Sequence, residues 1–278
     1  MPTVIADDGV ALAAYDAGGR GPDLLLAHAT GFHGRAWLPV VEHLRHRFRC
    51  VAFDERAHGD SALAVDESFD WHRLADDVLA VVDALALSRP FGVGHSCGAA
   101  LLLLAEEARP GTFSSLYCFE PIVVPLDDPP PEGIHNPMPG RARRRKDVFS
   151  SRDDAYRHLV DKPAFSSLAP EALRAYVDHG FEDLVGGEVR LKCRPEDEAR
   201  VYEKGLSHGA FRHLARVRCP VTLACGEHTD TVGPGMLDLY AERLADARVE
   251  VLPGLGHLGP LEDPRAVAAS VLAAFEAP

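Results

Sequence analysis

The chain has no basic excess. Its 278 residues carry 29 Lys and Arg against 42 Asp and Glu, a formal net charge of −13. Proteins that hold a nucleic-acid backbone need a basic footprint, so no nucleic-acid partner is expected. Long apolar runs are also missing. The longest purely apolar run covers only Ala99 to Ala105, far short of the ~18 residues that mark a membrane span. Met1 to Asp8 show neither the basic start nor the apolar core of a signal peptide. Six scattered cysteines (Cys50, Cys97, Cys118, Cys193, Cys219, Cys225) include no Cys-x-x-Cys pair. Reduced thiols in a cytoplasmic protein fit that pattern better than a disulfide framework or a zinc site. Asp54, Arg56, His58 and Asp60 lie close together in sequence, but no His pair or Cys spacing suited to a metal accompanies them. No metal and no cofactor are therefore expected.

What remains is ordinary globular material, 46% hydrophobic and 26% charged. At roughly 150 residues per domain, the length suits one large or two small domains. Such a chain buries a large core without disulfides or structural metals.

The first third alternates strand and helix signals. Asp7-Asp8-Gly9 reads as a hairpin turn between Val4-Ile5 and Val10 to Tyr15. Asp23 to His28, Phe48 to Phe53, Phe91 to Gly94 and Phe113 to Phe119 are short apolar runs that suit buried strands. Trp37 to Leu44 has apolar positions at helical spacing. Leu74, Val78, Val81, Val82 and Leu85 mark one face of a second helix, and Ala99 to Ala108 is a largely apolar third. Repeated strand–helix–strand units predict an α/β protein with a mostly parallel, doubly wound sheet.

That alternation stops after Val124. Pro125, Pro129, Pro130, Pro131, Pro137 and Pro139 punctuate a stretch unfit for a sheet interior. Pro170 to His179 and Pro195 to Lys204 then read as helices, each with Pro in its first turn and Gly just beyond its end. Asp153 to Val160 reads as a third. Val221 to Cys225 and Val249 to Leu252 resume the strands, with helices at Leu237 to Leu244 and Ala266 to Phe275. The expected division is an α/β core in two parts, 1–124 and 213–278, around an inserted helical cap, 125–212.

Gly94-His95-Ser96-Cys97-Gly98 sits between a predicted strand and a predicted helix. A serine on so sharp a turn needs neighbours without side chains, and the helix that follows aims N–H groups at developing negative charge. Ser96 is thus a candidate nucleophile. It needs a base, and His257, on the loop after the last strand, is the candidate. Asp230, in Gly226 to Pro234, and Glu120, twenty-four residues after Ser96 at a strand end, are both candidates to orient that base. The basic run Arg141 to Lys146 reads as a solvated face, with attraction of an anionic substrate as its functional alternative.

These residues carry a resemblance to the α/β-hydrolases, of the alpha/beta hydrolase-1 type with a helical cap, along nearly the whole chain. His28-Ala29-Thr30-Gly31-Phe32 resembles the family's His-Gly loop. Asp54-Glu55-Arg56-Ala57-His58-Gly59-Asp60-Ser61 resembles its Asp-x-Arg-Gly-His-Gly-x-Ser segment. The Ser96 elbow and the Gly256-His257 segment complete the match, with Ala29 and Ala57 standing where the family usually has Gly. The resemblance implies an oxyanion hole from the N–H groups of Thr30 and Cys97. It also supplies a precedent for each acid. Asp230 lies in a Gly-x-x-Asp-x-x-x-Pro-like loop with one extra residue before the Asp, and Glu120 is placed as in the haloalkane-dehalogenase branch. Asp230 is preferred, since it keeps the Asp-x-x-x-Pro spacing. The implied activity is a serine hydrolase acting on an ester, thioester or lactone of a small to medium molecule. A carbon–carbon bond hydrolase on the same triad, or a small-molecule receptor of this fold, is the alternative. The expected partner is a small-molecule substrate; oligomeric state is left open.

Overall fold

The computed structural model describes residues 2–64, 68–125 and 136–276. Its strands are β1 (Thr3–Ile5), β2 (Ala11–Gly19), β3 (Asp23–Ala27), β4 (Arg49–Phe53), β5 (Phe91–His95), β6 (Ser115–Phe119), β7 (Val148–Phe149), β8 (Phe181–Asp183), β9 (Val189–Leu191), β10 (Val221–Gly226) and β11 (Ala247–Leu252). The helices are α1 (Leu38–Leu44), α2 (Trp71–Ala84), α3 (Cys97–Ala108), α4 (Met138–Ala142), α5 (Arg152–Val160), α6 (Pro170–Gly180), α7 (Pro195–Lys204), α8 (Pro234–Ala241), α9 (Gly259–Glu262) and α10 (Pro264–Glu276).

Eight strands form one sheet in the order β1-β2-β4-β3-β5-β6-β10-β11. The β1–β2 and β2–β4 pairs are antiparallel, and every other pair is parallel. The central strands are buried on both faces because their apolar runs do not alternate with polar residues. On one face α2, α3 and α8 contribute Val78, Leu101 and Leu237 to a common core. On the other, α1 and α10 pack Val40, Val41, Val267 and Val271 over Leu24, Leu26 and Val93. Helix α3 is apolar all round from Cys97 to Ala105, which suits a stretch with no solvent face, and Ala99 to Ala105 are buried throughout. Helix α2 begins at Asp70, whose side chain accepts from the His72 N–H at 2.8 Å.

Strand β3 lies between β4 and β5, so the chain leaves it first towards one sheet edge and later towards the other. In open α/β sheets such a reversal marks the place, at the C-terminal ends of the strands, where ligands bind.

Between β6 and β10 lie α4–α7 and a second, antiparallel sheet ordered β7-β9-β8. Helices alone were expected here. The small sheet is a correction. Its strands are two or three residues long, too short for a period-two pattern, and only Gly186-Gly187 marks the turn between β8 and β9. Phe149, Leu173, Tyr176, Val177, Phe181 and Leu191 form its core, which also takes in Ala36 and Leu261 of the larger unit. Helix α8 starts at Pro234, earlier than expected, because the proline supplies the first helical φ. Of the proline-punctuated stretch, Pro129, Pro130 and Pro131 lie outside the described residues.

A buried ion pair fastens α2 to the turn after β4. Arg56 donates Nε and one terminal nitrogen to the two carboxylate oxygens of Asp77, both at 2.7 Å, and its other terminal nitrogen to Asp8 at 2.9 Å. Arg56 and Asp77 are each 1% exposed. Removing one partner strands the other charge without water. Asp77→Ala is expected to cost about 3–5 kcal/mol in urea denaturation, whereas Asp8→Ala, whose side chain is part-exposed, should cost much less.

Candidate active site

Strand β5 ends in His95, and Ser96 follows at φ 56° and ψ −113°, a conformation L-residues rarely hold. The glycines of the motif permit it by close approach. A Cβ on Gly94 would fall 2.5 Å from the Cα of Ala99, and one on Gly98 would fall 2.5 Å from the carbonyl of Ala27. Ser96 is buried (8% exposed), and its N–H donates to the Phe119 carbonyl at 2.9 Å, which fixes the elbow to the end of β6.

Glu120 follows β6 directly, at φ 47°. Its carboxylate is fully buried and takes four donors. Oε1 accepts from the Gly226 N–H at 3.1 Å. Oε2 accepts from the Thr229 hydroxyl at 2.6 Å, the Val232 N–H at 3.4 Å and His257 Nδ1 at 2.6 Å. That last bond leaves Nε2 of His257 to act as acceptor. Asp230 is exposed instead and accepts from the hydroxyl of its neighbour Thr231 at 3.1 Å. The preference for Asp230 as the group that orients His257 is therefore corrected: the imidazole meets Glu120. The loop after β10 contributes Thr229 and Val232 to Glu120 and turns Asp230 outward.

His95 acts as a second tie. Its Nε2 donates to the His257 carbonyl at 2.8 Å, and the two rings lie 5.1 Å apart. The residue before Ser96 thus holds the backbone of His257. Sequence inspection assigned it no role, because nothing in the five-residue motif constrains that position.

The Gly98 N–H donates to the His28 carbonyl at 3.0 Å, so the β3 loop lies against the start of α3. Among the described residues, the N–H groups of Thr30 and Cys97 have no acceptor. Behind Cys97 sits Glu55, fully buried, with its Oε2 3.8 Å from the Cys97 sulfur. Burial pushes this carboxyl well above its usual range. The positive φ that the family's glycines imply falls on Gly31 (80°) and on Ala57 (61°), while Ala29 needs none.

The Asp54 to Ser61 turn is structural. Asp54 accepts from the N–H groups of Gly34 and Asp60, each at 2.7 Å. His58 donates Nδ1–H to the Arg56 carbonyl at 3.0 Å and accepts from the Gly31 N–H at 3.0 Å. His28 likewise donates to the Ala29 carbonyl and accepts from the Glu55 N–H, both at 2.9 Å. The basic run divides. Arg143 pairs with Glu196 and Glu203 near the surface, whereas Arg145 turns inward to Glu198 and the Tyr176 hydroxyl at 2.6 Å. The reading of a wholly solvated face is thus corrected at Arg145. All six cysteines are free and buried. Among the described residues, no helix is long and apolar enough to cross a membrane.

With this fold and geometry in hand, the chain matches the model of the alpha/beta hydrolase family over residues 24–270, and it belongs to that family. It is a hydrolase. Its relatives include a 2-(acetamidomethylene)succinate hydrolase of Mesorhizobium japonicum (strain LMG 29417 / CECT 9101 / MAFF 303099), 24% identical over 242 residues, which are 86% of this chain and 82% of the relative. A protein of Caulobacter sp. (strain K31) assigned as a carbamate hydrolase, RutD, is 24% identical over 253 residues, 90% of this chain and 88% of the relative. Among solved structures, an E-2-(acetamidomethylene)succinate hydrolase superposes with a TM-score of 0.82 at 21% identity, covering 99% of each chain.

Four fully buried histidines make the fold sensitive to acid. Burial holds His28 and His95 well below the usual imidazole range, His58 at about 4 and His33 at about 3. Below about pH 6.5 the unfolded chain takes up protons that these folded imidazoles refuse, so their contribution to stability falls as pH falls. Buried Glu107, raised to about 8, opposes this between its unfolded and folded values, because the folded carboxyl keeps a proton that the unfolded one releases. A single substitution isolates one histidine. In urea denaturation between pH 6 and 4.5, His58→Asn should lose stability less steeply than wild type, by about 1 kcal/mol per pH unit. Parallel slopes would mean that His58 already carries its proton in the folded protein.

Proposed function

We propose that the chain is a serine hydrolase in which Ser96, His257 and Glu120 form the triad and the N–H groups of Thr30 and Cys97 form the oxyanion hole. The observation that carries this reading is the pairing of a strained, buried Ser96 elbow with a Glu120–His257 hydrogen bond of 2.6 Å at the end of the adjacent strand. His257 Nε2 takes the proton as Ser96 Oγ attacks an acyl carbon. Glu120 holds Nδ1–H and stabilises the imidazolium that forms. The tetrahedral oxyanion lies towards the Thr30 and Cys97 N–H groups, each worth about 3–4 kcal/mol in comparable sites. His257 then protonates the leaving group, and water resolves the acyl-enzyme through the same base. The segment 125–212 serves as the cap over this site, between the core parts 1–124 and 213–278. The substrate is a small to medium acyl compound, such as an ester, thioester or lactone.

Hydrolysis of p-nitrophenyl acetate tests the assignment. Ser96→Ala should lower kcat by about 10⁶, as loss of a triad nucleophile does elsewhere, with little change in Tm. Glu120→Gln should lower it by up to about 10⁴, because an amide favours the wrong imidazole tautomer. Asp230→Asn should stay near wild type. A large loss in Asp230→Asn alongside a small one in Glu120→Gln would return the acid to Asp230.

A further inference from the structure

Beside the oxyanion loop lies a polar pair that the triad chemistry does not use. A Cβ placed on Gly31 would fall 2.7 Å from Glu198 Oε1 and 3.2 Å from a terminal nitrogen of Arg145. Gly31 is the neighbour of Thr30, so the pair rests on the loop that supplies one proposed oxyanion donor.

The two oxygens of Glu198 differ. Oε2 accepts from Arg145, whose second terminal nitrogen donates to the Tyr176 hydroxyl at 2.6 Å. Oε1 accepts nothing among the described residues and faces Gly31. Yet the residue is only 5% exposed. Oε1 is not among the fully enclosed unpaired polar atoms, so this acceptor is open to a donor from a bound molecule. A purely structural clasp between α4 and α7 is already supplied by Arg143 with Glu196 and Glu203.

We propose that Glu198 Oε1 accepts a hydrogen bond from a neutral N–H of the substrate, so that the enzyme selects acyl compounds bearing an amide- or carbamate-type N–H close to the scissile carbonyl. This rests on the serine-hydrolase reading above. Charge decides the class. Glu198 and Arg145 cancel, so a substrate carboxylate meets no net positive charge and an ammonium no net negative one, while either would lose its hydration. A neutral N–H is matched to the free acceptor, and an N-methyl analogue leaves that acceptor unpaired.

The test compares p-nitrophenyl esters of N-acetylglycine, N-acetylsarcosine, butyric acid and succinic acid. For wild type, kcat/KM on the N-acetylglycine ester should exceed that on the N-acetylsarcosine ester by about tenfold or more. In Glu198→Gln the amide carbonyl turns to Arg145 and its NH2 faces the site. That preference should vanish, and the succinate ester should gain relative to the butyrate ester because Arg145 is no longer neutralised. Equal wild-type rates on the first two esters, or a Glu198→Gln loss uniform across all four, would overturn the proposal. A second measurement needs no turnover. The N,N-dimethylamides of N-acetylglycine and N-acetylsarcosine are titrated onto Ser96→Ala protein by calorimetry, and the first should bind about tenfold more tightly. Equal affinities, or binding of neither, overturn the inference. The same preference without turnover of any ester would overturn the hydrolase reading and leave the N–H site standing.

Discussion

One buried carboxylate organises the site. Glu120 carries no solvent exposure, and a lone charge there would cost several kcal/mol. Four donors offset that cost: a backbone N–H at the end of β10, a hydroxyl and an N–H from the loop beyond it, and the imidazole of His257. The same carboxylate therefore fixes the loop after β10 and the loop after β11 relative to β6. Because Ser96 N–H is bonded to the last carbonyl of β6, the elbow shares that reference point. Rearrangement of any one of these loops would leave a donor or an acceptor buried without a partner.

Around this centre the polar side chains are spent on geometry. His28 and His58 each bridge two backbone stations with one donated and one accepted bond, which ties the β3 loop to the β4 turn. Burial keeps both neutral, and neutrality is what allows one nitrogen to accept. His95 does similar work between the elbow and His257. The motif residues with side chains suited to metals or acid–base chemistry are thus largely occupied in holding backbone. Ser96, His257 and the N–H groups of Thr30 and Cys97 remain for chemistry on the proposed reading.

The segment between β6 and β10 meets this frame through a few polar contacts. Arg145, Tyr176 and Glu198 come from three different helices or their flanks and converge beside Gly31. Glycine at that position leaves room for them. The proposed selectivity for a neutral N–H follows from charge balance within this cluster and is independent of the triad's bond-making steps.

The α/β architecture was legible because it depends on local patterns. Apolar runs of four to six residues, helical periodicity in Leu74 to Leu85, and Pro and Gly at helix ends all act within a few residues of chain. Ser96 was legible for the same reason, since its strain and the glycines that permit it lie within five positions. Glu120 against Asp230 could not be settled that way. Both end or follow a strand on the same sheet edge, and the choice depends on how the chain turns after Phe119 and after Gly226. The left-handed φ of Glu120 aims its carboxylate inward, while Thr229 and Val232 take the inward places on the other loop and leave Asp230 in water. Arg145 likewise reads as one more charge in a basic run until packing separates it from Arg143. Local sequence determines which elements form and where a strained turn can exist. Which polar groups share a buried point is decided by contacts between residues as far apart as 120 and 257, and only the tertiary structure brings those together.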